Sequence, residues 1–274
     1  MNRRAAAQPA SSSDDLTSIL LLFDIDGTLL DTRGAGLRAM IDAAGTAFDV
    51  PEHRIPELDL AGSTDSGILR SLLPSLGIVM SERNMNRFYG AYLEALEQEL
   101  KDDNFTGELL PGVNRLLGRL ESDPRISLGL LTGNIETGAR LKLQRFGLSH
   151  YFPTGAFGDD HHDRDHLGPI ALERMEAVAG KRFLPAEIAV IGDTPRDIAC
   201  ARALGARSVC VATGSYDYTD LEQHGPDLLF EDLSDTIEVQ RKLSFIDSQP
   251  EPDASRFPAV LRSTNAVTPE KPAP

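Results

Sequence analysis

Short apolar runs recur along the chain, and each is followed by polar residues and then by a helical pattern. The runs lie at residues 19–24, 127–131, 156–158, 188–191, 208–211 and 228–230. Several are continuously apolar rather than alternating, which is typical of parallel strands covered on both faces. Pro195 and Gly205 bracket an apolar helical face, as in a crossover helix between such strands. The pattern predicts an α/β fold built on a three-layer parallel sheet.

The interval 33–108 lacks strand-like runs and has helical periodicity instead. Its apolar positions recur three and four residues apart, at Leu37, Met40, Ile41 and Ala44, at Ile68, Leu69, Leu72 and Leu73, and at Phe88, Tyr92, Leu93, Leu96 and Leu100. A crossover needs only one helix, so this segment exceeds what connection requires. We expect an all-helical cap domain at 33–108, inserted between core segments 16–32 and 109–246.

The two ends of the chain have little material for a core. Residues 1–15 are rich in Ala, Ser and Asp, and residues 247–274 carry six prolines and few aliphatic side chains. We predict a disordered tail at each end. Residues 1–15 also lack the apolar centre of a secretory signal, and the run at 19–23 is far too short to span a membrane. A cytoplasmic protein is therefore expected.

The net charge limits the kinds of binding partner, and the cysteines indicate whether disulfides are expected. A formal net charge of −15 repels nucleic acid and anionic lipid, so we expect neither as a partner. Cys200 and Cys210 lie among apolar neighbours, which indicates buried reduced thiols rather than a disulfide framework.

Carboxylates follow two of the predicted strands directly. Asp24 and Asp26 end the first apolar run, and Asp193 and Asp197 follow the run at 188–191. Because ligands bind at the carboxyl ends of parallel strands, we expect both clusters to face one crevice. A hard, oxygen-rich site of this kind favours Mg²⁺. Asp24 would then attack phosphorus, and Asp26 would serve as acid and base.

Two further segments are candidates for contact with a phosphorylated substrate. Thr132, Gly133 and Asn134 follow the run at 127–131, where a hydroxyl and N–H groups at a helix start can bind phosphoryl oxygens. Thr64 lies just before a predicted helix, which it can cap. Because Gly62 permits a close backbone approach, the same loop can contact substrate, and both roles can hold together.

Taken in order and spacing, the motifs at 24–28, 131–134 and 192–197 resemble the haloacid dehalogenase superfamily of phosphatases. The resemblance covers about residues 18–235, and the insert resembles the helical cap of the phosphoglycolate phosphatases and β-phosphoglucomutases. It implies that Asp24 is the nucleophile, Asp26 the acid and base, and Thr132 a phosphoryl ligand. Mg²⁺ would be held by Asp24, Asp193 and the backbone carbonyl of Asp26. Asp197 would support the metal site without being a direct ligand of the ion.

One element departs from the family's pattern, which places a lysine ahead of the fourth-motif strand. The corresponding stretch, 161–169, contains no lysine. We expect Arg164 to supply the positive charge instead. Its planar guanidinium would bind phosphate through a fork of N–H groups, whereas a lysine acts as a point charge. Lys142 is the rival, but it lies two turns into the helix after Asn134, and that helix is expected to run away from the strand edge.

These features predict a Rossmann-like parallel sheet core with an inserted all-helical cap. The predicted function is a Mg²⁺-dependent phosphatase that acts on a small phosphorylated metabolite, such as phosphoglycolate, through an aspartyl-phosphate. One alternative is a phosphomutase of the β-phosphoglucomutase type. A second is a catalytically weak binding or regulatory protein, which the missing lysine favours. The oligomeric state is not predictable from the sequence.

Overall fold

Eight strands and nine helices occur in residues 18–244, the part of the chain that the computed structural model describes. The strands are β1 (Ile19–Phe23), β2 (Leu30–Asp31), β3 (Glu108–Leu109), β4 (Ile126–Leu131), β5 (Gly155–Ala156), β6 (Ile188–Gly192), β7 (Arg207–Val211) and β8 (Leu228–Phe230). The helices are α1 (Ala35–Phe48), α2 (Asp65–Ser75), α3 (Glu82–Lys101), α4 (Val113–Glu121), α5 (Glu136–Arg145), α6 (Leu167–Ala179), α7 (Pro195–Leu204), α8 (Tyr218–Gln223) and α9 (Thr236–Ser244). The tails predicted at 1–15 and 247–274 lie outside the described residues.

Six of the strands form one parallel sheet in the order β5-β4-β1-β6-β7-β8. All six apolar runs predicted as strands belong to it, with ends shifted by at most two residues. The chain builds outward from β1 through β4 and β5, then returns to the other side of β1 with β6. This reversal makes the space above β1 and β6 a topological switch point, where α/β proteins bind their ligands.

Helices cover both faces of the sheet, which confirms the predicted three-layer α/β class. Alternate residues of β1 point to opposite faces. Leu21 and Phe23 pack against residues of α4, α5 and α9, while Leu20 and Leu22 pack against residues of α6 and α7. Burial on both faces explains why the central strands read as continuous apolar runs.

Helices α1, α2 and α3 form a separate apolar cluster over the carboxyl edge of the sheet. The cluster joins their inward faces and also includes Ile135, at the start of α5. The chain enters and leaves this helical segment through the antiparallel pair β2 and β3, where Leu30 pairs with Leu109 and Asp31 with Glu108. This ribbon was not predicted from the sequence, because strands of two residues carry no periodicity.

Two smaller expectations also have an outcome among the described residues. Cys200 and Cys210 are buried and free, as expected, and burial raises the pKa of Cys200 to about 12. No helix within residues 18–244 combines the length and apolarity needed to cross a bilayer.

Candidate active site

Three buried carboxylates meet above β1 and β6. Asp24 follows β1, where its N–H donates to the Ile191 carbonyl at 2.9 Å, and Asp193 follows β6. Asp197 lies in the first turn of α7 and accepts hydrogen bonds from the N–H and the hydroxyl of Thr194, at 3.0 and 2.7 Å. One oxygen of each carboxylate lies within 4.8 Å of the others. The two acidic motifs therefore share one crevice.

The turn after Asp24 leaves room for Asp193. Gly27 has φ 77°, a left-handed conformation that favours glycine, and a Cβ there would collide with the Asp193 carboxylate. The Thr28 hydroxyl donates to Asp193 Oδ1 at 3.0 Å. Gly27 and Thr28 thus let a buried carboxylate approach the first motif closely and hold it there.

Burial makes this cluster electrostatically unfavourable without further positive charge. Desolvation raises the pKa of Asp193 well above its ordinary value, and the charges of Asp197 and Asp24 raise it further. The pKa of Asp24 is also raised by burial, although Arg164 opposes the shift. Carboxylates this close either keep protons or take up a cation.

Arg164 supplies one positive charge, from the short turn before α6. Its guanidinium contacts Asp24 Oδ2 at 2.9 Å and Asp197 Oδ1 at 2.5 Å. Burial lowers the pKa of Arg164, but the charges of Asp197 and Asp24 outweigh it and raise the pKa above its ordinary value. Arg164 thus stays charged beside the proposed nucleophile.

Lys142 supplies a second positive charge, so the expectation that its helix carries it away from the site is wrong. Its Nζ donates to Asp26 Oδ2 and to Asn134 Oδ1, each at 2.6 Å. Side chains of a helix lean towards its N terminus, which for α5 is the end at the sheet edge. The long lysine stem therefore spans the turns between Lys142 and the site. The structure brings both candidate cations to the site, each on a different carboxylate.

The second motif joins the two halves of the site. The Thr132 side chain lies close enough to Asp24 to lower the pKa of that carboxyl, and the Asn134 side-chain amide donates to Thr132 at 2.9 Å and to Asp26 Oδ2 at 2.8 Å. The Asn134 N–H is directed at the Thr132 hydroxyl, at 3.4 Å, rather than left free. Asn134 therefore orients Asp26.

Gly133 lies against the helical segment. Its carbonyl accepts the Asp65 N–H at 2.7 Å, and a Cβ at this position would collide with the Ser63 carbonyl. Asp65 in turn accepts the Ile135 N–H at 2.9 Å, and burial raises its pKa to about 7. Asp65 was not among the predicted site residues, because its role depends on contacts with the distant residues Gly133 and Ile135.

The Thr64 side chain caps helix α2. Its hydroxyl accepts the Gly67 N–H at 3.0 Å and donates to the His162 carbonyl at 2.6 Å. These contacts establish the capping role, and Thr64 is not among the described residues that line the cavity above the carboxylates, so its contact with substrate stays a prediction.

A cavity of about 410 Å³ lies above the carboxylates, between the sheet edge and the helical segment. Asp24, Asp26, Asp193, Arg164 and Lys142 line its floor. The charged floor of this cavity lies at the switch point of an α/β sheet, where enzymes of this architecture bind small ligands.

Comparison with known proteins identifies the family. Residues 21–211 match the family described as haloacid dehalogenase-like hydrolase. The chain belongs to this family, which confirms the resemblance seen in its motifs and makes it a hydrolase.

Curated relatives and solved structures agree with this assignment. The chain is 29% identical over 227 residues to a phosphoglycolate phosphatase of Synechococcus elongatus, covering 81% of this chain and 97% of the relative. It is 26% identical to the pyrophosphatase PpaX of Oceanobacillus iheyensis, and the match covers 80% of this chain and 95% of that relative. A hydrolase structure from Pseudomonas syringae superposes with a TM-score of 0.61 at 23% identity, covering 83% and 99%. A putative β-phosphoglucomutase structure from Thermotoga maritima superposes with a TM-score of 0.52 at 22% sequence identity. The match covers 82% of this chain and 99% of that structure. The structural likenesses show the shared fold alone.

Proposed function

We propose that this protein is a Mg²⁺-dependent phosphatase that hydrolyses a small phosphate monoester through an aspartyl-phosphate on Asp24. One observation carries the proposal. A buried carboxylate at the carboxyl end of β1 lines the floor of a cavity, contacts a guanidinium and lies close to the Thr132 side chain. These are the groups that a phosphoryl group needs: a nucleophile, a fixed cation and a hydrogen-bond donor.

The donor set at the switch point fits Mg²⁺. Asp24 and Asp193 offer hard carboxylate oxygens, the backbone carbonyl of Asp26 is the proposed third protein ligand, and Asp197 supports the cluster. Three buried carboxylates share the single guanidinium of Arg164, which leaves negative charge for a divalent cation to balance. When bound, Mg²⁺ acts as a Lewis acid that draws charge from a phosphoryl oxygen.

The reaction would proceed in two displacements. In the first, an Asp24 oxygen forms a bond to phosphorus, the bond from phosphorus to the alcohol oxygen breaks, and Asp26 gives that oxygen a proton. In the second, Asp26 takes a proton from water, the water oxygen bonds to phosphorus, and the bond to Asp24 breaks. Phosphate leaves, and both carboxylates return to their first state.

The two buried cations would have separate tasks. Arg164 contacts Asp24 and is placed to balance charge at the phosphoryl group. Lys142 and Asn134 both contact Asp26 Oδ2, so they orient the acid and base. The alternative of a catalytically weak protein was based on the absence of the lysine that the family's pattern places ahead of the fourth-motif strand. With two cations at the site, that reason no longer holds.

Phosphoglycolate is the substrate that the names of several relatives suggest, at 26 to 29% identity. We test the proposal by measuring phosphate release with Mg²⁺ from p-nitrophenyl phosphate, phosphoglycolate, pyrophosphate and β-glucose 1-phosphate. The Asp24→Asn variant is the control. Wild-type rates equal to those of this variant would refute the proposal. Glucose 6-phosphate formed from β-glucose 1-phosphate, with little free phosphate, would identify a mutase.

A further inference from the structure

The wall of the cavity that faces the carboxylates is apolar. Helix α1 contributes Leu37 and Met40, the loop before α2 contributes Leu60, and Ile68 and Tyr92 complete the surface. A phosphoryl group seated on Asp24 would direct its leaving group towards this wall. The leaving group of the substrate would therefore meet a surface that is mainly hydrocarbon and aromatic, although Ser63 and Asp65 also line the cavity.

Positive charge is confined to the floor of the cavity. Among the described residues that line it, Lys142 and Arg164 are the cations, and both are already paired with Asp26, Asp24 and Asp197. The acidic side chains that line the cavity beyond its floor, among the described residues, are the carboxylates Asp31 and Asp65.

Three arginines lie near the mouth of the cavity but are occupied, and one of them, Arg196 on α7, donates to the Ala61 carbonyl and is paired with Asp59. Arg38 lies beside Gly34 and is held by Glu99 at 2.6 Å and by the Arg33 carbonyl at 2.9 Å. Arg33 is paired with Asp31 and Glu108. None of the three side chains is among the described residues that line the cavity.

We infer that the leaving group of the substrate carries no negative charge and presents an apolar portion to the surface formed by Leu37, Met40, Leu60 and Ile68. This inference rests on the proposed function. A carboxylate at this wall would lose its water without gaining a cation, and burying an unpaired charge is strongly unfavourable. It would also face Asp31 as a like charge. The inference disfavours phosphoglycolate as the preferred substrate, although relatives carry that name.

A pair of substrates that differ only in charge tests this directly. We would compare kcat/KM for 2-phosphoglycolate with that for its amide, carbamoylmethyl phosphate, which has the same shape and no carboxylate. One unpaired charge in a partly desolvated site predicts a preference for the amide of about fivefold or more. A smaller preference, or a preference for phosphoglycolate, overturns the inference. Failure to release phosphate from any monoester, p-nitrophenyl phosphate included, would instead refute the proposed function and the inference with it.

A charge added to the wall gives a second, independent readout. Leu37→Lys places a cation on the cavity side of α1, whereas Leu37→Met at the same position adds none. The control Ile41→Lys adds the charge on a different surface of α1, lining another hollow. We expect Leu37→Lys to raise the ratio of kcat/KM for phosphoglycolate to that for the amide by about tenfold, and the other two variants to leave this ratio unchanged. An unchanged ratio in Leu37→Lys, or an equal rise in Ile41→Lys, would overturn the inference.

Discussion

The contact between Lys142 and Asp26 predicts an activity loss that depends on the leaving group. Replacing Lys142 with Met keeps an unbranched stem and removes the charge that holds Asp26 Oδ2 at 2.6 Å. Hydrogen bonds to charged groups contribute about 1.5–3 kcal/mol. The lower end applies here because the Asp26 side chain is 42% exposed, so water replaces part of the contact. About 1.4 kcal/mol corresponds to tenfold in rate.

The assay compares two leaving groups. Propyl phosphate needs a proton from Asp26 on its leaving oxygen, whereas p-nitrophenolate leaves without one. We expect Lys142→Met to lower kcat/KM about tenfold for propyl phosphate and less than about threefold for p-nitrophenyl phosphate. Arg164→Met should lower both by about a hundredfold, because Arg164 contacts the nucleophile.

The control removes a charge from the same helix but away from the site. Arg145 is exposed in the last turn of α5, where it stacks on Phe105, so Arg145→Met should leave both substrates unaffected. Thermal unfolding of all three variants separates loss of fold from loss of chemistry. Equal losses on both substrates in Lys142→Met would show that Lys142 does not act through Asp26. No loss on either would show that the contact is unimportant.

Three further predictions concern pH, metal and packing. Asp65 has a pKa of about 7 when folded against 3.8 as an ordinary value, so between these pH values the folded chain keeps a proton that the unfolded chain releases. The contribution of this group to the free energy of unfolding therefore falls as the pH rises through that window. In urea unfolding, Asp65→Asn should become more stable relative to wild type between about pH 4 and pH 7. A difference in free energy of unfolding that stays constant over this range would contradict the prediction. Mg²⁺ at about a hundred times its Kd should stabilise wild type by about 2.7 kcal/mol but not Asp193→Asn, and equal thermal shifts in both would contradict the metal assignment. Gly133→Ala should cost about 1–3 kcal/mol by collision with Ser63, whereas Gly90→Ala, in an open part of α3, should stabilise by about 0.5–1 kcal/mol; calorimetry showing similar effects would refute the close approach.

The sheet and its acidic edge were predictable because their signals are local. Asp24, Asp26 and Asp193 each lie within three residues of the end of a strand, and the geometry of parallel strands brings such positions to one edge. Periodicity likewise indicated the helices of the insert. These features need no knowledge of how distant segments pack.

Other parts of the site depend on contacts between distant segments. The contact of Lys142 with Asp26 depends on the lean of a helical side chain, which the direction of the helix alone does not indicate. The Thr64 hydroxyl, which caps α2, donates to the distant carbonyl of His162. The apolar wall follows from how the loop before α2 lies on the core, where Arg196 on α7 is paired with Asp59 at 2.6 Å.

The measurement that tests the central claim most directly is the site of the covalent phosphoryl group. Wild-type protein would be mixed with Mg²⁺ and p-nitrophenyl phosphate, quenched rapidly, and treated with borohydride, which reduces an aspartyl-phosphate to homoserine. Peptide mass spectrometry then locates the change. We predict homoserine at position 24 in wild type and none in Asp24→Asn. Homoserine at another aspartate, or none at position 24 while phosphate is still released, would contradict the account.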